Sequence, residues 1–238
     1  MPGSGPFDEA EGGFLPDLET LEQSGSGMTL VGGGPVATPV LKSALKRAPR
    51  LVAVDGGADA CLAHGLLPER VTGDMDSLTD TARDAFGDRL DPVPEQDSTD
   101  FEKALRGVTA PFVLATGFLG GRVDHALAVF SHMAARQGPP VVLLSEDDCV
   151  ALCPARLQLD LAEGDRVSLW PLAPCRLAST GLHWPLDGLT LRPAGRVGTS
   201  NRAEGRVTLE CDGPCLLIVD AFRLDALLAG LGTCHAPG

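Results

Sequence analysis

The sequence predicts an α/β chain: a mostly parallel, Rossmann-like N-terminal α/β domain followed by a small antiparallel β-domain. Three observations carry this. From Met28 to about Glu146, short apolar runs alternate with amphipathic segments, the pattern of parallel strands joined by helices. Those apolar runs end in glycine-rich or acidic clusters. After about residue 150 the texture changes to short alternating stretches broken by Gly, Pro and Asp, as in antiparallel β-structure.

In the first domain, strands are expected at 28–31, 51–54, 70–72, 112–115 and 141–144. Helices are expected between them at 37–47, 58–64, 79–86, 99–106 and 123–136. The strand ends carry Gly32-Gly33-Gly34, Asp55-Gly56-Gly57, Gly73-Asp74 and Thr116-Gly117. Ligands of open α/β sheets bind beyond the carboxyl ends of the strands, so these clusters are expected to converge on one crevice. The second domain reads as strands at 166–170, 188–191, 206–210 and 216–219, with a short terminal helix at 225–231. The expected division is a leader at 1–27, an α/β domain at 28–152, a β-domain at 153–222 and a helix with tail at 223–238.

Composition bounds the function. A chain of 238 residues with 44% hydrophobic residues has enough apolar material for a proper core. A formal charge of −13 argues against nucleic acid or an anionic membrane as partner, since either needs clustered Lys and Arg. Six acids and no base fall in residues 1–26 (Asp8, Glu9, Glu11, Asp17, Glu19 and Glu22), which reads as a solvated acidic tail. No apolar run approaches the roughly 20 residues that span a bilayer, and the acidic start is unlike a signal peptide. A cytoplasmic location is expected. Seven scattered cysteines fit reduced thiols. Cys149 with Cys153, or Cys211 with Cys215, has the look of a zinc half-site, but no His stands at ligand spacing, and buried thiols are the expected reading.

Two motifs crowd carboxylates: Gly73-Asp74-Met75-Asp76-Ser77 and Asp97-Ser98-Thr99-Asp100-Phe101-Glu102-Lys103. Asp74 and Asp76 are two apart, so at an extended strand end both project to one face, as two oxygen ligands of a magnesium ion would. The alternative is a cap by Asp76 or Ser77 on the helix near Thr79, which accounts for one acid only. In the second motif Ser98 or Thr99 can cap a helix, while Asp100 and Lys103 share a face and offer a metal ligand beside a phosphate donor. Asp55-Gly56-Gly57 suits close approach of a nucleotide or a metal, or is an ordinary Asp-Gly turn. The turn containing Gly33 offers amides to a phosphate, or is a plain strand-to-helix turn. Arg122, after Gly120-Gly121, either grips a phosphate or pairs with Asp124 on the surface; His125 reads as structural. In the β-domain Trp184 and Ser200-Asn201 suit a small heteroaromatic ring; core packing of Trp184 and a turn at 200–201 are the readings that spacing favours.

Taken in order, these motifs resemble the thiamine pyrophosphokinase family. The pieces are Asp55-Gly56-Gly57-Ala58, Gly73-Asp74-Met75-Asp76-Ser77, Thr99-Asp100-Phe101-Glu102-Lys103-Ala104-Leu105, Gly120-Gly121-Arg122-Val123-Asp124-His125, Gly181-Leu182-His183-Trp184 and Thr199-Ser200-Asn201. The resemblance implies an α/β catalytic domain, a β-sandwich, and a homodimer with active sites between subunits. It implies transfer of pyrophosphate from ATP to the thiamine hydroxyl, releasing AMP. On the matching positions it implies magnesium ligands at Asp74, Asp76 and Asp100, and nucleotide neighbours at Asp55, Gln96, Arg122 and Asp124. Trp184, Ser200 and Asn201 match residues that hold the thiamine ring. Gly198 stands where the family often has Ser. Nothing in the chain is an obvious covalent nucleophile, and phosphoryl transfer needs little beyond positioning and charge neutralisation. The rivals are a pyrophosphokinase of a pterin alcohol, a thiamine or nucleotide sensor without turnover, and a nicotinamide-dependent oxidoreductase, whose glycine fingerprint is missing.

Overall fold

A computed structural model of the chain describes residues 26–95 and 97–232. The acidic stretch 1–25, Gln96 and the tail 233–238 lie outside the described residues. The described residues divide into two compact units, the first running to 132 and taking in 143–146, the second made of 133–142 and the residues from 147 on.

The first unit is a doubly wound sheet. Strands β1 (Met28–Val31), β2 (Arg50–Val54), β3 (Arg70–Gly73) and β5 (Val113–Thr116) run parallel, as does the short β4 (Leu90–Pro92) beside β3. With β6 (Val141–Leu144) next to β5, the order is β4-β3-β2-β1-β5-β6. The order reverses between β1 and β5, which makes their carboxyl ends the switch point at which such sheets open a crevice. β1 and β5 are wholly buried, which is why they read as continuous apolar runs rather than alternating ones.

The helices follow the predicted spans closely. In α1 (Thr38–Arg47) Val40, Leu41, Ala44 and Leu45 form the buried stripe, Pro39 sits in the first turn and Lys46 and Arg47 in the last, as the helix dipole favours. Helices α2 (Gly57–Ala63), α3 (Asp80–Ala85) and α4 (Asp100–Leu105) are short; α5 (Val123–Ala135) is the longest at 13 residues. One core cluster joins Val31, Leu41, Ala53, Ala58, Val71 and Phe86, and it also takes in Met75 from the loop after β3.

The second unit is antiparallel. β7 (Asp148–Leu152), β13 (Cys215–Asp220) and β9 (Arg166–Pro171) pair in that order. β10 (Cys175–Leu182) pairs with β11 (Leu189–Leu191) and with β12 (Gly198–Cys211), whose other edge takes β8 (Arg156–Leu159). The 14-residue β12 serves two sheets: 198–202 pair with β9 and 203–211 with β10. A register shift between Gly198 and Asn201 falls within the pairing with β9, a local irregularity of the bulge kind, and the change of partner comes just after it, between Arg202 and Ala203. The expected turn at Ser200-Asn201 is therefore this irregularity inside a strand, with Ser200 at φ 60°. Helix α6 (Leu224–Gly230) closes the described chain. Among the described residues no helix is long and apolar enough to cross a membrane.

Candidate active site

Asp55 follows β2 directly, Asp74 follows β3 directly, and Asp100 opens α4. One carboxylate oxygen from each lies within 4.8 Å of the other two. Parallel strand ends and a helix start thus bring together acids up to 45 residues apart in the chain. Asp100 Oδ1 accepts from the Asp74 amide (3.2 Å) and from Lys103 Nζ (3.0 Å). Asp55 Oδ1 accepts from the Ser77 amide (3.3 Å). Gly73, at φ 145°, has no room for a side chain: a Cβ would stand 3.0 Å from Asp55 Cβ and 3.3 Å from Asp100 Oδ1.

Asp76 is outside this group. β3 ends at Gly73 and Met75 adopts φ 67°, so the alternation of an extended strand, on which a shared face for Asp74 and Asp76 depended, stops one residue too early. Asp76 is exposed, and its amide donates to Asp74 Oδ1 (3.2 Å). Asp55 supplies the third carboxylate instead. It too holds a left-handed backbone, φ 46°, and such conformations in residues other than Gly cluster where geometry serves a ligand.

The residues present fit magnesium. Oxygens bound to Mg²⁺ at ~2.1 Å lie about 2.9 to 4.2 Å from one another, the scale of this cluster, and every donor is a hard carboxylate oxygen. Lys103 brings one positive charge against three negative ones, leaving repulsion that a divalent cation would reverse.

The helix caps do not consume these acids. Thr79 caps α3, accepting from the Ala82 amide (3.2 Å), and Thr99 caps α4, accepting from Glu102 (3.2 Å); neither Asp76 nor Ser77 does so. Lys103 differs from expectation as well. Its side chain is 2% exposed and turned onto Asp100, so it holds that carboxylate rather than reaching into solvent. Gly32 and Gly34 donate their amides to the carbonyls of Thr116 and Gly117, both at 2.8 Å, so these two are not free for a phosphate. Gly33 is exposed, and a Cβ on it would lie 3.4 Å from Gly56 Cα. The two glycine turns therefore meet backbone to backbone.

Arg122 and Asp124 form an exposed pair, Nε to Oδ1 at 3.1 Å and Nη2 to Oδ2 at 2.5 Å. The Arg122 hydrogen bond holds the Asp124 carboxyl below its usual range. Asp124 Oδ1 also accepts from the His125 amide (3.1 Å). The surface-pair reading describes these residues as they stand.

Ahead of α4, Glu95 accepts from the amides of Asp97 (2.8 Å) and Ser98 (3.2 Å), from the Ser98 hydroxyl, and from Arg106 Nη1 (2.8 Å). The Ser98 hydroxyl above all, with Arg106 and the Asp97 amide, lowers its carboxyl from 4.5 to about 2. A depressed carboxyl contributes stability above its unfolded value and loses it as pH falls through its folded one. Glu95→Gln is thus expected to lower stability by a constant amount above about pH 4.5, with the gap to the wild type closing towards pH 2. Urea melts across that range test this; a gap unchanged at pH 2 would refute it.

In the second unit Trp184 is 52% exposed, contrary to the expectation that it packs in the core. Its backbone is gripped by Asn201, which accepts from the Trp184 amide (3.1 Å) and donates to the Trp184 carbonyl (2.7 Å). Asn201 is itself buried, 4% exposed, and the irregularity in β12 is what aims it at Trp184. Arg202 lies over the indole, 5.1 Å from the ring centroid, and His183 meets it edge-on. Ser200 is exposed and its amide donates to Ser168 Oγ (2.9 Å). Sequence reasoning missed Ser168 and Arg202, neither of which lies in a motif.

Two family models match the chain in order. The thiamin pyrophosphokinase catalytic domain matches residues 41–143, and the thiamin pyrophosphokinase vitamin B1 binding domain matches 155–216. The chain belongs to the thiamin pyrophosphokinase family. Thiamine pyrophosphokinase 1 of Arabidopsis thaliana is 29% identical over 170 residues, 63% of this chain and 64% of that protein. Thiamine pyrophosphokinase 2 of Oryza sativa subsp. japonica is 29% identical over 179 residues, 66% and 67% respectively. The chain thus spans just under two thirds of the Arabidopsis relative. Among solved structures, the thiamin pyrophosphokinase from Candida albicans superposes with a TM-score of 0.72 at 15% identity, covering 82% of this chain and 89% of that one. The yeast thiamin pyrophosphokinase gives 0.72 at 17% identity, covering 89% and 92%. At such identities the likeness establishes the family fold, an α/β domain with a β-rich one.

Proposed function

We propose that this chain is a magnesium-dependent thiamine pyrophosphokinase, transferring pyrophosphate from ATP to the hydroxyl of thiamine and releasing AMP. The observation that carries the proposal is the convergence of Asp55, Asp74 and Asp100 in a chain matched by both family models. The thiamine hydroxyl oxygen forms a bond to the β-phosphorus and gives up its proton to solvent, as the bond from that phosphorus to the α-phosphate oxygen breaks and AMP leaves. When bound, magnesium supplies charge neutralisation for the phosphate oxygens.

The remaining work falls to side chains. Asp55, Asp74 and Asp100 would hold the ion, with Asp76 two residues beyond Asp74. Lys103, buried against Asp100, is a positioning residue that fixes one carboxylate. Gly33 and Gly56 leave the strand tips open to the close approach of a nucleotide. Arg122, on exchanging Asp124 for a phosphate oxygen, stabilises charge that builds towards the leaving AMP, and Asp124 orients it beforehand. Thr99 caps the helix that carries Asp100, and the reading extends to Gln96 as a neighbour of the nucleotide. Residues 28–152 are assigned the nucleotide role and 153–222 the thiamine role. Trp184, Ser200 and Asn201 would hold the thiamine ring. A homodimer with active sites between subunits, in the cytoplasm, completes the proposal.

Incubation with thiamine, ATP and magnesium should yield thiamine diphosphate and AMP in equal amounts. ADP with thiamine monophosphate would overturn the proposal, as would preference for a pterin alcohol. Trp184→Ala is expected to raise the thiamine KM about tenfold, the loss of roughly 1.4 kcal/mol of aromatic contact. Its half-exposed ring leaves the fold standing, so a normal melting curve belongs to the expected result, and an unchanged KM would remove Trp184 from the site.

A further inference from the structure

Four of the six described free cysteines gather at one end of the second unit. Cys153 follows β7, Cys175 opens β10, Cys211 closes β12 and Cys215 opens β13. The sulfurs of Cys175, Cys211 and Cys215 lie within 4.8 Å of one another, and the Cys153 thiol beside them donates to the Pro154 carbonyl (3.5 Å). All four are buried, at 5%, 2%, 7% and 0% exposure in chain order.

Their placement comes from the backbone. Cys153 donates its amide to the Cys215 carbonyl (2.8 Å), and Cys211 donates to Ala155 (3.0 Å), so two strand ends and the 212–214 turn are laced together around the thiols. Gly213 permits this: a Cβ there would stand 2.8 Å from Cys175 Cβ. The other two described thiols behave differently. Cys61 lies in α2, in the first unit, and Cys149 Sγ donates to the Ala221 carbonyl.

We propose that Cys153, Cys175, Cys211 and Cys215 form a structural zinc site in the β-rich unit, separate in place and chemistry from the carboxylate site. Tetrahedral zinc with four sulfurs at ~2.3 Å sets them about 3.8 Å apart. The three sulfurs within 4.8 Å need only a small contraction to reach that, and Cys153, tied by its amide to the Cys215 carbonyl, completes the set by turning its thiol from the Pro154 carbonyl. Soft, closed, all-sulfur ligation selects zinc and rejects magnesium. Binding exchanges the thiol protons for the metal, Zn²⁺ plus four thiols giving the tetrathiolate and four protons to water. The sequence hid the site because the ligands come from four segments, with a Cys-x₃-Cys hairpin as its only local trace.

Elemental analysis of the full chain, purified under reduction without added chelator, tests this. About one zinc per chain is expected, falling roughly tenfold or more in Cys175→Ser and Cys211→Ser and unchanged in Cys61→Ser and Cys149→Ser. Should the cluster variants fail to fold, cobalt exchanged into the wild type reports instead, through thiolate-to-cobalt charge transfer and the visible bands of tetrahedral cobalt. Folded, reduced protein that holds neither zinc nor thiolate-ligated cobalt overturns the proposal. So does zinc retained equally in both cluster variants, or a disulfide among the four in protein from a reducing cytosol.

Discussion

Asp74→Asn lowers turnover about a hundredfold or more, the scale of removing one preorganised electrostatic contact from a transition state. The substitution keeps the side chain's size and its place after β3, and it removes one of three negative charges grouped within 4.8 Å. It therefore relieves repulsion in the metal-free protein, and thermal melts without magnesium should place the variant no lower than the wild type. The wild type alone should gain markedly on adding magnesium. Asp55→Asn is expected to follow the same course. Asp100→Asn loses activity and also strands the buried Lys103 ammonium, so its melting temperature should fall as well. Asp76 is the discriminating position: outside the cluster and exposed, it should cost less than Asp74 when changed to Asn. Steady-state rates over a magnesium titration decide, and equal losses at 74 and 76 would return Asp76 to the ligand set.

Gly57→Ala is expected to destabilise the protein by about 3 kcal/mol or more, beyond ordinary overpacking. A Cβ at this position would lie 1.9 Å from the Val31 carbonyl oxygen and 2.6 Å from its carbon. Those are backbone atoms of β1, so no side chain can rotate aside; either β1 or the start of α2 must move. Gly56 is the matched control. Its backbone is helical (φ −52°) and a Cβ would meet Ser77 Cβ at 3.4 Å, an ordinary contact. Gly56→Ala should keep the melting temperature within a few degrees, while a raised ATP KM would report that the nucleotide passes close to this backbone. Urea denaturation of both variants checks the contrast, and a Gly57→Ala protein as stable as the wild type would contradict the packing described.

Much of this was legible in the sequence. The parallel strands were readable because burial on both faces leaves uninterrupted apolar runs, and β1 and β6 coincide with the expected spans. β4 escaped because three residues with a proline carry no period. β12 was read as 206–210 because its first half, Gly-Thr-Ser-Asn, has the composition of a turn, and pairing with β9 overrides that preference. Asp74 and Asp100 stood out by motif, and Asp55 by its place at a strand tip. The exclusion of Asp76 was not readable, since it follows from one left-handed backbone at Met75. The thiol cluster needed long-range topology that spacing does not encode.

Met75 has a further consequence. Its side chain is 6% exposed and belongs to an apolar core cluster of the first unit, while acids stand on either side of it. A segment with such a foot in the interior opens when that interior opens rather than by local fraying. Deuterium uptake at the amides of Asp74, Asp76 and Ser77 should then be as slow as in β3, far slower than in the exposed turn at 193–195. The charged rim would share the lifetime of the hydrophobic interior beneath it.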